Sequence, residues 1–427
     1  MVARGDQTAG PVGAPRVHRE RPPLRLLGTS VTQTRAIKQA AREDLGFDLE
    51  FMTLDGTEAQ RQGALYPGSF DVYDQWFHDI DMVWPTGSLM PLEVARIGRW
   101  GEINALPKTG RLRTDMPRPL GGDPSRRLFV QLDGSLGDVE TDRISMLPTV
   151  HNADSFAVMG AEPEDVTSWR ALLDEAWSGH VLLQRDAAIG SLDILLAMQA
   201  RGESRAADLG DLELEEIDAL THRLRDLARN GHFHTIWADE EEAIAAMRSG
   251  KRLIGSMWWS GFSKLRAAGV DVSMVTPEEG YRGWFGGLAL SSRSDAWAQD
   301  AAYDYFNWWL EGRPGALMAR SGAYMANPEA VRAHLTEDEW RFWYQGHAAQ
   351  GDIRDQDGTV ILRSGARREG GDYVTRMSRV RVWNTVMTEH NYLVRNWEAA
   401  LSPKARLSAP VFADRPANQV LETRILP

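Results

Sequence analysis

Leu24-Arg25-Leu26-Leu27-Gly28-Thr29-Ser30 is a short, mostly apolar run that stops at a turn of small residues. Beyond it, Thr34 to Leu45 carries helical spacing, with Ile37, Ala40, Ala41 and Leu45 on one stripe, and Phe47 to Thr53 alternates as a strand does. Strand, small-residue turn, helix and strand in that order open an α/β domain. The turn at Gly28 then falls at the carboxyl end of the first strand, where open α/β sheets take their ligands.

Working outward, Phe70 to Tyr73 reads as a short strand that runs into a polar, aromatic loop, Asp74-Gln75-Trp76-Phe77. Ser145 to Thr149 leads through His151-Asn152-Ala153-Asp154 to the apolar Ser155 to Met159, and Val181 to Leu183 ends in Gln184-Arg185-Asp186. Glu213 to Ala228 is an amphipathic helix with Ile217, Leu220, Leu224 and Leu227 on its stripe. Glu240 to Met247 is a helix stopped by Ser249-Gly250, followed by a buried strand, Leu253 to Trp258. A glycine-rich stretch, Gly283-Trp284-Phe285-Gly286-Gly287, precedes Leu288 to Leu290. Helices follow at Ala301 to Leu310, Pro314 to Arg320 and Glu337 to Tyr344, then an exposed loop over Asp352 to Asp372, then a last helix over Val386 to Leu401. No linker divides the 427 residues into consecutive units. A chain this long divides its core, so two lobes joined by crossing strands are expected.

Composition narrows the function. A formal charge of −12 argues against nucleic acid as a partner, and no apolar run is long enough to span a membrane. The absence of cysteine removes disulfides, thiolate metal sites and cysteine nucleophiles together. Sixteen tryptophans against nine tyrosines exceed what packing alone calls for and suit a cleft lined with aromatic faces. Met1 to Pro23 is polar, lacks the apolar core of a secretory signal, and is expected to be a disordered lead-in.

The order of elements resembles the solute-binding proteins of ABC transporters of the spermidine/putrescine type, over roughly Leu24 to Leu335. The echoes are Phe70-Asp71-Val72, Leu147-Pro148, and Ala157-Val158. They continue with Ala245-Ala246-Met247-Arg248-Ser249-Gly250 before Gly255-Ser256-Met257-Trp258, and Val275-Thr276-Pro277-Glu278-Glu279-Gly280. Leu288-Ala289-Leu290 and Ser321-Gly322-Ala323-Tyr324 complete the set. The resemblance implies a two-lobed type II periplasmic-binding-protein fold in the α/β class. Residues 24–150 plus 287–427 would form one lobe and 151–286 the other, with a hinge of crossing segments. It also implies a monomeric, extracytoplasmic receptor that closes on a small-molecule solute and delivers it to a membrane permease, with no cofactor and no catalysis.

Polyamine sites in that family pair aromatic faces with carboxylates, because a ring quadrupole attracts an amine and a carboxylate pairs it. Carried over, the ligand-binding positions are Thr29 and Ser30, then Asp74, Gln75 and Trp76, Asp186, the two tryptophans Trp258 and Trp284, and Tyr324. Asp154, on the hinge side, is a further candidate to replace a missing acid. Ile189 and Gly286 stand where polyamine binders carry acids, and Arg185 precedes Asp186. A monocation or zwitterion, such as a betaine or an amino-acid-like compound, therefore fits as well as a diamine. Each residue has a plainer reading: Asp186 suits a helix cap and Asp74 a turn. Trp308, Trp309, Trp340 and Trp343 suit packing, and Glu240-Glu241-Glu242 a solvated helix start. His232 and His234 lack the carboxylate spacing of a zinc site. The competing class is an enzyme with an aromatic cleft, such as a glycoside hydrolase, although no acid pair, serine elbow or phosphate loop is evident.

Overall fold

The computed structural model describes residues 21–402 apart from residue 251, so the lead-in expected over 1–23 lies outside the described residues as far as residue 20. Two mixed sheets carry the fold. The first holds β1 (Leu24–Gly28), β2 (Leu49–Thr53), β3 (Val72–Trp76) and β4 (Leu147–Asp154). The second holds β5 (Phe156–Met159), β6 (Val181–Gln184), β7 (Phe233–Trp237), β8 (Leu253–Ser256) and β9 (Ser273–Met274). The chain then returns to the first sheet with β10 (Tyr281–Ser291) and β11 (Tyr324–Met325), and β12 (Val380–Trp383) pairs alongside β10.

The opening is as read. β1 pairs in parallel with both β2 and β3, burying Leu24, Leu26 and Leu27. Thr34 caps the helix α1 (Arg35–Leu45), its hydroxyl accepting from the Ile37 amide, and Gly46 ends it at φ 69°. α2 (Ala187–Ala200) is buried along most of its length, and α3 (Leu214–Arg229) presents Ile217, Leu220, Leu224 and Leu227 to the second core.

Two departures bear on the site. Asp74, Gln75 and Trp76 belong to β3 and not to a loop, because the backbone there is held on both sides: Asp74 lies between Gly28 and Leu288, and Trp76 pairs with Gly286. The glycine-rich stretch is likewise strand. β10 runs unbroken through it, and a Cβ on Gly283 would sit 2.6 Å from the Trp383 ring, so the glycine serves close packing and not a turn.

The chain leaves the first sheet between Asp154 and Phe156 and returns between Met274 and Tyr281. β4 and β10 stay in the first sheet up to these points because they pair with each other, Arg282 opposite Asp154. After β12 the chain enters the second core instead of staying with the first. Met387, Leu393 and Trp397, at and within the last helix (His390–Leu401), pack with the apolar residues of α2 and α3. The tail expected in the first lobe is thus shared between the two.

Beneath these crossings lies a fully buried ion pair. Arg282 Nε donates to Asp193 Oδ1 at 2.7 Å, Arg282 Nη1 donates to Asn384 Oδ1 at 2.8 Å, and the Ser256 hydroxyl completes the second carboxylate oxygen. Arg282 and Asn384, from the last two crossings, meet there with Asp193 and Ser256 from the second sheet's side.

Candidate functional site

Between the sheets lies a cavity of about 150 Å³, continuous through Ser30, Trp76, Ile189 and Trp258 with a wider region of about 490 Å³. The loop after β1 puts Ser30 and Val31 on its wall, and Thr29 reaches the wider part. Trp76 ends β3, and Trp284 lies beside it on β10, the rings meeting edge to face at 5.1 Å. Opposite them stands Trp258, which ends the strand segment after β8 and precedes the helix α4 (Trp259–Ala267). Its indole is braced edge to face by Trp237 at 5.3 Å, whereas Trp259 turns into the core. Aromatic faces from both sheets therefore converge on one space.

Asp154 supplies the carboxylate. Trp284 Nε1 donates to its Oδ2 at 2.7 Å, and Asn152 Nδ2, two residues back on the same strand face, donates to Oδ1 at 3.0 Å. Burial pushes this carboxyl up to about 6, and Arg282, the indole donor, Arg376 and Arg368 pull against that rise. In the wider region Asp186 caps α2, accepting from the Ala188 amide at 2.9 Å, and also lines the wall. Asp79 lies across from it. Burial raises both carboxyls, and each has another acid adding to the rise, Asp186 in the case of Asp79. His78, 3.5 Å from Asp79, does not offset this, because burial pushes its imidazole down to about 3 and leaves it neutral.

Three of the expected residues do not line this space. Asp74 and Gln75 are buried in β3. Burial pushes the Asp74 carboxyl up to about 7, relieved in part by a bond from the Thr32 side chain, and the Gln75 amide has no partner among the described residues. As consecutive residues of β3 they face opposite sides of the sheet, and both sides are covered there. Tyr324 is fully buried, and its face is taken by the protein's own Arg368, whose guanidinium lies 4.5 Å from the Tyr324 ring, 5.0 Å from Trp259 and 5.2 Å from Trp343. Arg368 comes from the stretch expected to be an exposed loop; its Nη2 donates to Gly322 O and, at 3.3 Å, to Asn152 Oδ1. Ser321 and Ala323 line the cavity where Tyr324 was expected.

Other wall residues were not foreseen. Glu240, expected to be solvated, pairs with Lys264 at 2.8 Å on the rim, and Arg320 pairs with Glu339 at 2.6 Å. Asn384 arrives from β12, and Asp355, Gln356 and Asp357 from the C-terminal stretch. Asn152 was legible, since it shares a strand face with Asp154 at a spacing of two. The C-terminal contributions had no local signal: Thr34 bonds to Gln356 across 322 positions.

Comparison with known proteins bears on the fold. Residues 143–341 match the family model of the bacterial extracellular solute-binding proteins. No curated protein sequence matches the chain. Among solved structures, the PotD lipoprotein of Treponema pallidum aligns at a TM-score of 0.60 and 11% identity, over 89% of this chain and 99% of that one. The spermidine/putrescine substrate-binding protein PotD of Streptococcus pneumoniae gives 0.57 and 14%, over 90% and 100%. The periplasmic binding protein MotA of A. tumefaciens, in complex with glucopine, gives 0.58 and 13%, over 89% and 100%. The fold is that of the two-lobed periplasmic binding proteins. Among the described residues, no helix is long and apolar enough to cross a membrane.

Proposed function

We propose that this chain, which carries a bacterial extracellular solute-binding domain, is the receptor of an ABC importer. It would capture a small amine-bearing solute between its lobes outside the cytoplasm and deliver it to a permease. The observation that carries this reading is the convergence of Trp76 and Trp284 from one sheet with Trp258 from the other, around the Asp154 carboxylate. Ring faces and a desolvated carboxylate together suit an ammonium or a quaternary nitrogen with its methyl groups.

What stands at one wall position also bears on the solute class. Ile189 lies on the wall where a second acid would serve a diamine, which favours a betaine-like or amino-acid-like solute alongside polyamines. Related structures include a glucopine complex and a GABA receptor as well as spermidine/putrescine proteins, so the fold takes ligands of varied length. No step of catalysis is part of this reading. Closure on the solute would shift the population toward a state that a permease recognises.

The test is a thermal-shift screen against polyamines, betaines and amino acids, followed by calorimetry. A ligand present at about 100 times its Kd stabilises the native state by about 2.7 kcal/mol. The expected result is a saturable one-to-one hit that Trp284→Ala abolishes. If none of these compounds binds, or a hit is consumed during the assay, the receptor reading fails and an enzyme with an aromatic cleft takes its place.

A further inference from the structure

The cavity has a third wall that belongs to neither sheet. Strands Ile353–Arg354 and Val360–Leu362 form a small antiparallel hairpin. Its root is apolar: Ile353, Ile361 and Leu362 are buried, and the second strand packs on α4 of the second lobe. Its tip reaches the first lobe, where the Thr34 hydroxyl, at the cap of α1, donates to Gln356 Oε1 at 2.9 Å. Thr34, Asp355, Gln356 and Asp357 all line the cavity. One polar bond thus ties the hairpin, seated on α4, to α1 where both line the cavity.

The charges on this wall are unequal. Both cations of the cavity wall are matched by carboxylates, Lys264 by Glu240 and Glu241, and Arg320 by Glu339. Asp355 is engaged by its own turn, accepting from the amides of Asp357 at 3.0 Å and Thr359 at 2.8 Å. The Asp357 carboxylate has no partner among the described residues and is exposed at the tip. An unmatched, exposed charge on the cavity wall biases which solutes arrive.

Resting on the reading of this cleft as the solute site, we propose that the hairpin tip is an electrostatic gate. Gln356 holds the hairpin against Thr34, and Asp357 favours entry of a small cation. Both would then be determinants of specificity outside the set that the resemblance carries.

The chain has no cysteine, so Ser321→Cys places a single reporter thiol on the cavity wall. Its reaction with cationic 2-aminoethyl methanethiosulfonate is timed against that with a neutral methanethiosulfonate of similar size. Adding Asp357→Asn is expected to slow the cationic reagent by about threefold or more and leave the neutral one unchanged, an effect that shrinks in salt. Adding Gln356→Ala is expected to speed both reagents. Unchanged rates in both variants, or a loss in Asp357→Asn shared equally by the two reagents, would overturn the gate. Calorimetry with putrescine and glycine betaine reads the receptor proposal separately, since the thiol rates need no bound solute.

Discussion

Trp284 and Asp154 meet across the two neighbouring strands that carry the chain between its lobes, the indole N–H donating to Oδ2 at 2.7 Å. The aromatic wall and the carboxylate are therefore one unit: the bond that orients the ring also holds the charge. Asn152 fixes the other oxygen, so the Asp154 carboxylate has a defined direction.

On the proposed reading, this arrangement makes binding depend on pH. An amine needs the ionised form of Asp154, whose carboxyl is pushed up to about 6 by burial. Affinity is full above that value and falls below it. If only the anion binds, affinity at pH 5 is lower than at pH 8 by about tenfold. Asp154→Asn should weaken binding by at least about tenfold and flatten this profile. Calorimetry at pH 5, 6.5 and 8 checks both; a profile that survives the substitution assigns the titration to another group.

Asp74 acts on stability instead. Its folded carboxyl is raised by burial to about 7, above the unfolded value, so the native state binds the extra proton between roughly pH 4 and 7. Stability therefore rises as pH falls through that window, and the ionised form is a cost above it. Asp74→Asn should stabilise the protein at pH 8 by about 1–3 kcal/mol and make little difference near pH 5. Urea unfolding at the two pH values reads the difference, and an equal effect at both would contradict it.

Tyr324 gives the sharpest contrast between the resemblance and the structure. Its ring is covered by Arg368 and its hydroxyl has no partner among the described residues. Tyr324→Phe should leave solute affinity unchanged and cost no stability. A marked loss of affinity would place the ring in the site after all.

The buried pair of Arg282 and Asp193 ties β10 to α2. Arg282→Met strands a buried carboxylate and should cost about 3–5 kcal/mol. Arg282→Met with Asp193→Leu should recover part of that, because the stranded charge is gone. Denaturant titration of both variants gives the coupling; simple additivity would show that the pair contributes nothing as a unit.

The fold class was legible at Leu24 to Thr53, where periodicity and a capped helix agree, and several later strands showed as apolar runs. Trp76, Trp258, Trp284 and Asp186 were placed near the cleft by the family resemblance, and Asp154 by its position on the hinge side. What sequence could not disclose was pairing on both sides of a strand. Asp74 and Gln75 look like loop residues until β10 is known to lie against them. Nor could a Gly- and Arg-rich stretch announce that Arg368 would bury itself among three rings, since the partners lie on three distant segments.

The packing of the last helix against α2 and α3 has a practical corollary. Leu24 starts in one body and Leu401 ends on the other. Dyes attached near these two ends would straddle the hinge, so the chain carries the attachment points of a molecular ruler. Energy transfer between them would follow opening and closing in real time, with no label in the cleft itself.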